Sequence, residues 1–344
     1  MSARGSYAVT SESAIQAHDL AYAYGVRQAL DGVGFEVGPG EIFGFLGPNG
    51  SGKSTLFQLL ATLRAPQRGH LSVLGLDPVR DASAVRRRLG VVFQSPALDR
   101  ELTVRENLLH HGHLYGLRGR ALAGRIDAAL DRFGLGDRAG DTAKTLSGGL
   151  ARRVEIAKAL LPEPEVLLLD EPSTGLDPGA RRDLGAVLRE LADSGVTVLL
   201  TTHFMEEGDR CDRLALMARG RIVGEGEPET LKRRLGGEVV VLRTEDPEAL
   251  ATELARRFPE IEPRVYRPHT QPETRNGVSE DSSDMGPPAG PGEVRFERED
   301  AAAFVPRLAE TFSGHRIDAL TVARPTLEDV FLQLTGERLS EDES

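Results

Sequence analysis

Nine consecutive residues, Gly47-Pro48-Asn49-Gly50-Ser51-Gly52-Lys53-Ser54-Thr55, restrict the folds open to this chain more than any other segment. They read G-x-x-x-x-G-K-S. Before them lies an apolar run at 42–46, bounded by Gly38-Pro39-Gly40, and after them a stretch at 54–63 that is apolar at helical spacing. The first pattern predicts a buried strand and the second a helix. Strand, glycine-rich turn and helix in that order make a cradle for polyphosphate, which is densely negative and offers only acceptor oxygens. Gly47, Gly50 and Gly52 let the backbone wrap such a group with N–H groups pointing inward, and the helix adds the positive end of its dipole. Lys53 can reach the β- and γ-phosphates as a mobile point charge, and the Ser54 hydroxyl can ligate Mg²⁺. Asn49, Ser51 and Thr55 complete the candidate nucleotide contacts of this loop.

The chain has 344 residues, enough for two domains and a sizeable core. Its net charge of -11 disfavours nucleic acid and anionic lipid as primary ligands, although a basic pocket can sit on an acidic protein. The single cysteine, Cys211, excludes an intramolecular disulfide, fits a reducing cytosol and reads as a structural thiol. No apolar stretch approaches the length of a membrane span, and the first 13 residues have no hydrophobic signal core. The expectation is a soluble, cytoplasmic chain whose membrane role, if any, comes through a partner.

A polar lead-in is expected at 1–14. From 15 to about 235 short apolar strands (42–46, 89–93, 166–169, 196–201) alternate with helical patterns (54–63, 148–161, 179–193), which implies an α/β domain on a mainly parallel sheet. Residues 101–134, rich in Leu, Arg and Ala, predict a helical insertion, part of a helical subdomain at about 95–160. The character changes at Gly236-Gly237. Strands are expected at 239–242, 294–296 and 317–322 and helices at 247–258 and 300–311, a small α+β domain of split β-α-β kind at 236–336. Within it, 268–292 is rich in Pro, Gly, Ser and acids and reads as a disordered loop, and 337–344 as a tail.

Five further elements follow the loop in order: Gln94 closing the 89–93 strand, Leu146-Ser147-Gly148-Gly149 before a helix, Asp170-Glu171 closing the 166–169 strand, Gly175-Leu176-Asp177, and His203 closing the 196–201 strand. A buried strand holds Asp170 rigidly near the phosphate loop, where a carboxylate can orient Mg²⁺. The adjacent Glu171 points elsewhere and can act as general base for an attacking water. Gln94 can touch both the metal and that water. Ser147-Gly148-Gly149 is a second anion-binding helix start.

This ordered set resembles the ATP-binding subunits of ABC transporters over about residues 15–230. The resemblance implies a P-loop fold with a mainly parallel core sheet, an antiparallel β subdomain and a helical subdomain. It also implies ATP and Mg²⁺ as ligands, ATP hydrolysis, His203 as the switch histidine at the γ-phosphate, and Asp177 as a further nucleotide-site residue. It makes Tyr24 the aromatic that stacks on adenine, with Tyr22 as the alternative. In such subunits Ser147, Gly148 and Gly149 would close over the ATP of a facing subunit, so a working site needs two copies, or one copy plus a homologous subunit. The motif usually ends in glutamine, where this chain has Leu150.

Integral membrane permease subunits are the other implied partners, received by a surface at 95–115, which would place the chain at the cytoplasmic face of the membrane. The segment Arg324-Pro325-Thr326-Leu327-Glu328-Asp329-Val330-Phe331-Leu332 further resembles the C-terminal ending of daunorubicin-type drug exporters. It reads as a proline-started amphipathic helix over 326–334 with Leu327, Val330, Phe331 and Leu334 on one face, docking either on its own domain or at a regulatory or dimer contact. The expected function is therefore the ATPase of an exporter. A soluble ATPase of the same class acting on DNA or ribosomes is the alternative, but paired modules, long coiled coils and a basic face are missing from the sequence.

Overall fold

The computed structural model describes residues 13–95, 97–267, 292–312 and 317–339. They form two compact units, one running to Glu229 and resuming at Phe331, the other spanning Thr230–Val330. The first unit contains β1 (Ile15–Tyr24), β2 (Arg27–Val37), β3 (Ile42–Leu46), α1 (Lys53–Leu60), β4 (Arg68–Val73), α2 (Ala82–Arg88) and β5 (Leu89–Val92). It continues with α3 (Val104–Leu114), α4 (Gly119–Arg132), α5 (Gly148–Leu160), β6 (Val166–Asp170), α6 (Pro178–Asp193) and β7 (Thr197–Thr202). The short α7 (Met205–Gly208), β8 (Arg213–Ala218) and β9 (Arg221–Gly226) follow, and α8 (Pro228–Arg233) carries the chain into the second unit.

A six-stranded sheet has the order β5-β6-β7-β3-β8-β9, parallel except for its last pair. Strands β3 and β6 are buried at every position, as apolar runs must be when helices cover both faces of a parallel sheet. A second, antiparallel sheet has the order β2-β1-β4. Phe35 on β2 joins it to the core, edge-on to Phe45 at 4.9 Å and stacked on Phe43 at 5.9 Å. Cys211 is buried with its sulfur against Gly44, where a Cβ would stand 2.7 Å from Sγ. Burial pushes its thiol pKa up, so it serves packing.

The register of the parallel strands fixes where the loops emerge. Leu46 pairs with Thr202, and Asp170 with Thr201, so β3, β6 and β7 end level with one another. The phosphate loop, the Asp170-Glu171 pair and His203 therefore leave the same edge of the sheet, the carboxyl ends of its strands, where open α/β sheets bind ligands.

The second unit runs β10 (Glu238–Thr244), α9 (Pro247–Arg257), β11 (Arg264–Tyr266), β12 (Gly292–Arg298), α10 (Ala301–Thr311) and β13 (Ile317–Ala323). Its antiparallel sheet has the order β11-β12-β10-β13. Val240, Leu242, Val294 and Phe296 of the strands pack with Leu250, Leu254, Phe258, Phe304 and Leu308 of the two helices. The order β-α-β-β-α-β with both helices on one sheet face is a split β-α-β arrangement. The helix α11 (Leu327–Thr335) then returns the chain to the first unit.

Two details differ from the sequence reading. The start of α11 is fixed less by Pro325 than by a reciprocal cap: Thr326 N donates to Asp329 Oδ2 at 2.9 Å, and Asp329 N to Thr326 Oγ1 at 3.3 Å. Leu332 is buried, as are Val330 and Phe331, whereas Leu334 is 45% exposed. The polar lead-in through residue 12, residues 268–291 of the proposed disordered loop, and 340–344 of the tail lie outside the described residues; Gly292 itself opens β12.

Candidate functional site

The turn between β3 and α1 holds its shape because two positions admit no side chain. A Cβ on Gly47 would lie 2.3 Å from the Met217 carbonyl oxygen, and one on Gly52, at φ 108°, 2.6 Å from that of Ala29. Inside the loop, the Lys53 ammonium donates to the carbonyls of Gly47 at 2.6 Å and Pro48 at 3.1 Å and stands 3.7 Å from Glu171 Oε1. One of its three donors stays available for a ligand. Burial lowers the Lys53 pKa, while Glu171 and Asp170 pull it back up. Ser51 Oγ is buried with no hydrogen-bond partner among the described residues. An unmet buried hydroxyl at the centre of a glycine cradle fits a loop built to receive an anion.

A cavity of about 200 Å³ opens on this loop, lined by Tyr24, Arg27, Gln28, Ala29, the loop from Asn49 through Thr55 except Ser51, and Glu171. Tyr24 is 42% exposed on its wall, and its hydroxyl donates to Gln58 at 3.3 Å. Tyr22 is absent from the lining and packs against the core, edge-on to Tyr24 at 5.0 Å. Arg64 sits over both rings and bonds the Tyr22 hydroxyl at 2.8 Å, bracing the exposed aromatic from behind.

Asp170 ends β6 buried, accepting from Thr201 Oγ1 at 2.6 Å, and burial raises its pKa. At Glu171 the backbone turns into the left-handed region at φ 45°, unusual for a side chain of this size, and its N–H is held by the Thr201 carbonyl at 3.1 Å and hydroxyl at 3.0 Å. That turn separates the two acids: Glu171 reaches the cavity wall, which Asp170 does not line. Glu171 Oε2 accepts from Gln94 Nε2 at 3.0 Å and from Thr174 Oγ1 at 3.3 Å. His203 Nδ1 lies 3.4 Å from the same oxygen, at ion-pair distance but without hydrogen-bond geometry. His203 and then Lys53 hold the Glu171 carboxyl below its ordinary pKa, against the effect of burial. It is ionised at neutral pH and can accept a proton.

The cavity walls and their neighbours thus bring together Tyr24, Gly47, Asn49, Gly50, Ser51, Gly52, Lys53, Ser54, Thr55, Gln94, Asp170, Glu171 and His203. Ser147, Gly148, Gly149 and Asp177 do not line it. Ser147 caps α5, accepting from Leu150 N at 3.4 Å, and Asp177 caps α6, accepting from Gly179 N at 2.9 Å and Ala180 N at 3.0 Å. A methyl on Gly149 would meet Ala180 at 3.3 Å, so the two capped turns adjoin one another, with Ser147, Gly148 and Asp177 exposed.

Motif reading alone misses several participants. Arg27, at the β1–β2 hairpin, adds a second cation to the cavity lining. The buried carboxylate of Glu207 accepts from both Ser173 and Thr202 and so ties the segment after Glu171 to the end of β7. The buried Arg152 of α5 bonds the backbone of Phe93 and of Glu171. Its signal in the sequence is the i, i+3 pair Arg152–Glu155 on the same helical stripe as Ile156 and Ala159.

For a divalent cation the donors present are Ser54 on the cavity wall, the Gln94 side-chain oxygen and the Asp170 carboxylate. No cluster of three metal-ligating acids, histidines or cysteines occurs among the described residues. That sparse set fits Mg²⁺ held jointly with phosphate oxygens of a bound nucleotide.

The ABC transporter family matches residues 30–174, which include the phosphate loop, Ser147–Gly149, Asp170 and Glu171. The chain is 38% identical over 330 residues to the daunorubicin resistance ATP-binding protein DrrA3 of Streptomyces coeruleorubidus, covering 95% of this chain and 97% of that protein. It is also 38% identical over 333 residues to the Nod factor export ATP-binding protein I of Sinorhizobium fredii, covering 96% of this chain and 88% of the relative. Among solved structures, cbiO1 of Clostridium perfringens, part of the ABC transporter complex cbiONQ, superposes with a TM-score of 0.61 at 28% identity, over 72% of this chain and 97% of that one.

Proposed function

We propose, because the chain belongs to the ATP-binding subunits of ABC transporters, that two copies of it, or one copy and a homologous subunit, power an exporter through a separate membrane-spanning permease. Its fold is that of the P-loop ATPases of ABC type and its activity is ATP hydrolysis. The observation that carries the residue assignments is the convergence of Lys53, Gln94 and His203 on Glu171 at the wall of the cavity.

In this reading adenine stacks on Tyr24, and the phosphates lie in the loop from Gly47 to Thr55 against its N–H groups and the Lys53 ammonium. The ionised Glu171 carboxylate takes the proton of the attacking water, which Gln94 helps to orient, and His203 steadies both Glu171 and the γ-phosphate. Mg²⁺, held by Ser54, Gln94 and Asp170, would neutralise charge on the β- and γ-phosphates. The outward Ser147–Gly149 turn, exposed and away from its own chain's cavity, suits the nucleotide of a facing copy, with Asp177 beside it. Leu150 only lends its backbone N–H to the Ser147 cap.

No helix among the described residues is long and apolar enough to cross a membrane. A permease must then supply the path, and the chain would sit at the cytoplasmic face of the membrane through it. Export as the direction rests on the C-terminal resemblance and on the name of the Nod factor export relative. Nothing in the site favours DNA or ribosomes as the target.

Lys53→Ala tests the reading directly. Removing the charge facing the phosphates should weaken affinity for a non-hydrolysable ATP analogue at least about tenfold, as for loss of a charge-assisted hydrogen bond. Unchanged affinity would place the nucleotide elsewhere.

A further inference from the structure

Four residues beyond the first residue of α5, the Arg152 side chain is only 7% exposed, and its guanidinium is spent on backbone that belongs to the catalytic edge. Nη1 donates to the Phe93 carbonyl at 2.8 Å and to Glu155 Oε2 at 3.0 Å. Nη2 donates to the carbonyls of Glu171 at 3.3 Å and Gln94 at 3.5 Å. Two more residues of the same helix grip the segment beyond Gln94: Glu155 Oε1 accepts from Ala97 N at 2.5 Å, and Lys158 Nζ donates to Ala97 O at 2.6 Å. The helix that begins at the outward-facing Ser147 is thus fastened to both residues that would handle the attacking water in its own chain.

A guanidinium is a planar fork whose donors keep fixed relative directions. Buried among carbonyls, it cannot release one without stranding a charge and an acceptor away from water. The backbone it holds at Glu171 is in the left-handed region, a conformation that persists only where surrounding contacts dictate it. A shift of α5 therefore moves Gln94 and Glu171 with it.

We propose that Arg152 is a positioning residue that couples the two nucleotide sites of the dimer. Closure of Ser147 onto the facing copy's nucleotide is passed along α5 to Gln94 and Glu171, so that filling one site sets the hydrolytic geometry of the other. This rests on the two-copy reading above. The shared rigid element, biased by both sites, is the physical ground for the coupling.

The test is steady-state ATPase activity of the full chain against ATP concentration for wild type, Arg152→Met and Arg152→Lys, together with affinity of the monomer for a non-hydrolysable ATP analogue. Wild type should be cooperative, with a Hill coefficient approaching the two sites available, about 2. Arg152→Met should bring it to about 1 and lower kcat on the order of ten- to a hundredfold, as for a misplaced catalytic group, with monomer affinity unchanged. Arg152→Lys, which keeps the charge in the core but loses the fork, should fall between the two and guards against misfolding of the methionine variant. A non-cooperative wild type, or variants that melt earlier but keep the wild-type Hill coefficient and kcat, would overturn the proposal. Ser147→Arg separates the two levels. If it hydrolyses ATP like wild type, the two-copy reading itself fails. If it is inactive while the Arg152 variants stay cooperative, only the coupling role fails.

Discussion

Glu171 owes its position to three independent constraints: a left-handed backbone at φ 45°, a doubly held N–H, and a carboxylate shared by Gln94, Thr174 and the nearby His203 and Lys53. Each restricts a different degree of freedom, which is how a side chain is fixed before substrate arrives. Arg27 contrasts with it, being exposed and making no ion pair or side-chain hydrogen bond among the described residues of the cavity it lines. Among the lining residues it and Lys53 are the only cations, set against Glu171 and a polyphosphate. Arg27→Ala should weaken ATP by about three- to tenfold, the value of a partly exposed charge contact, and adenosine not at all. Calorimetric titration of ATP, ADP and adenosine would check it; an equal loss for all three would assign Arg27 to the base or ribose.

At the scale of elements, α3 carries a half-buried imidazole whose protonation the fold opposes. Burial and then the nearby Lys158 charge push the His111 pKa down to about 4, from an ordinary 6.5. The unfolded chain therefore binds this proton first as pH falls, so stability is lost between about 6.5 and 4. His111→Gln should flatten the decline in Tm over that window. Parallel Tm curves for variant and wild type would mean that His111 titrates as if exposed.

The same scale shows what could be read from the sequence. Strands β3 and β6 were legible as uninterrupted apolar runs, because parallel strands covered on both faces admit nothing else, and the glycines and Lys53 carried their own chemistry. The antiparallel β9, Arg-Ile-Val-Gly-Glu-Gly at intermediate burial, gives no period strong enough to place. The roles of Arg152 and Glu207 stayed hidden for another reason: the local partners Glu155 and Thr202 show only a polar pair, and the contacts that tie each to the site lie 19 and 34 residues away at Glu171 and Ser173. The choice between Tyr24 and Tyr22 likewise depends on which ring the hairpin turns toward the phosphate loop, a matter of twist and not of spacing.

In the proposed two-copy arrangement, the first unit presents one half of a site on one surface and the other half on another. Tyr24, the phosphate loop, Gln94, Glu171 and His203 gather at the cavity, while Ser147–Gly149 and Asp177 face outward elsewhere on the same unit. A chain with a net charge of -11 has no general attraction to a second copy, so association should wait for nucleotide to bridge the halves. Glu171→Gln keeps the size of the side chain and removes its basicity, so it should bind ATP normally, lose on the order of a hundredfold or more in turnover, and accumulate in the closed state. Light scattering of this variant with saturating MgATP is the most direct measurement. The account predicts a shift from the mass of one 344-residue chain to that of two, absent without nucleotide and abolished by adding Ser147→Arg. A variant that stays monomeric with ATP bound, or that hydrolyses ATP at near wild-type rate, would contradict it.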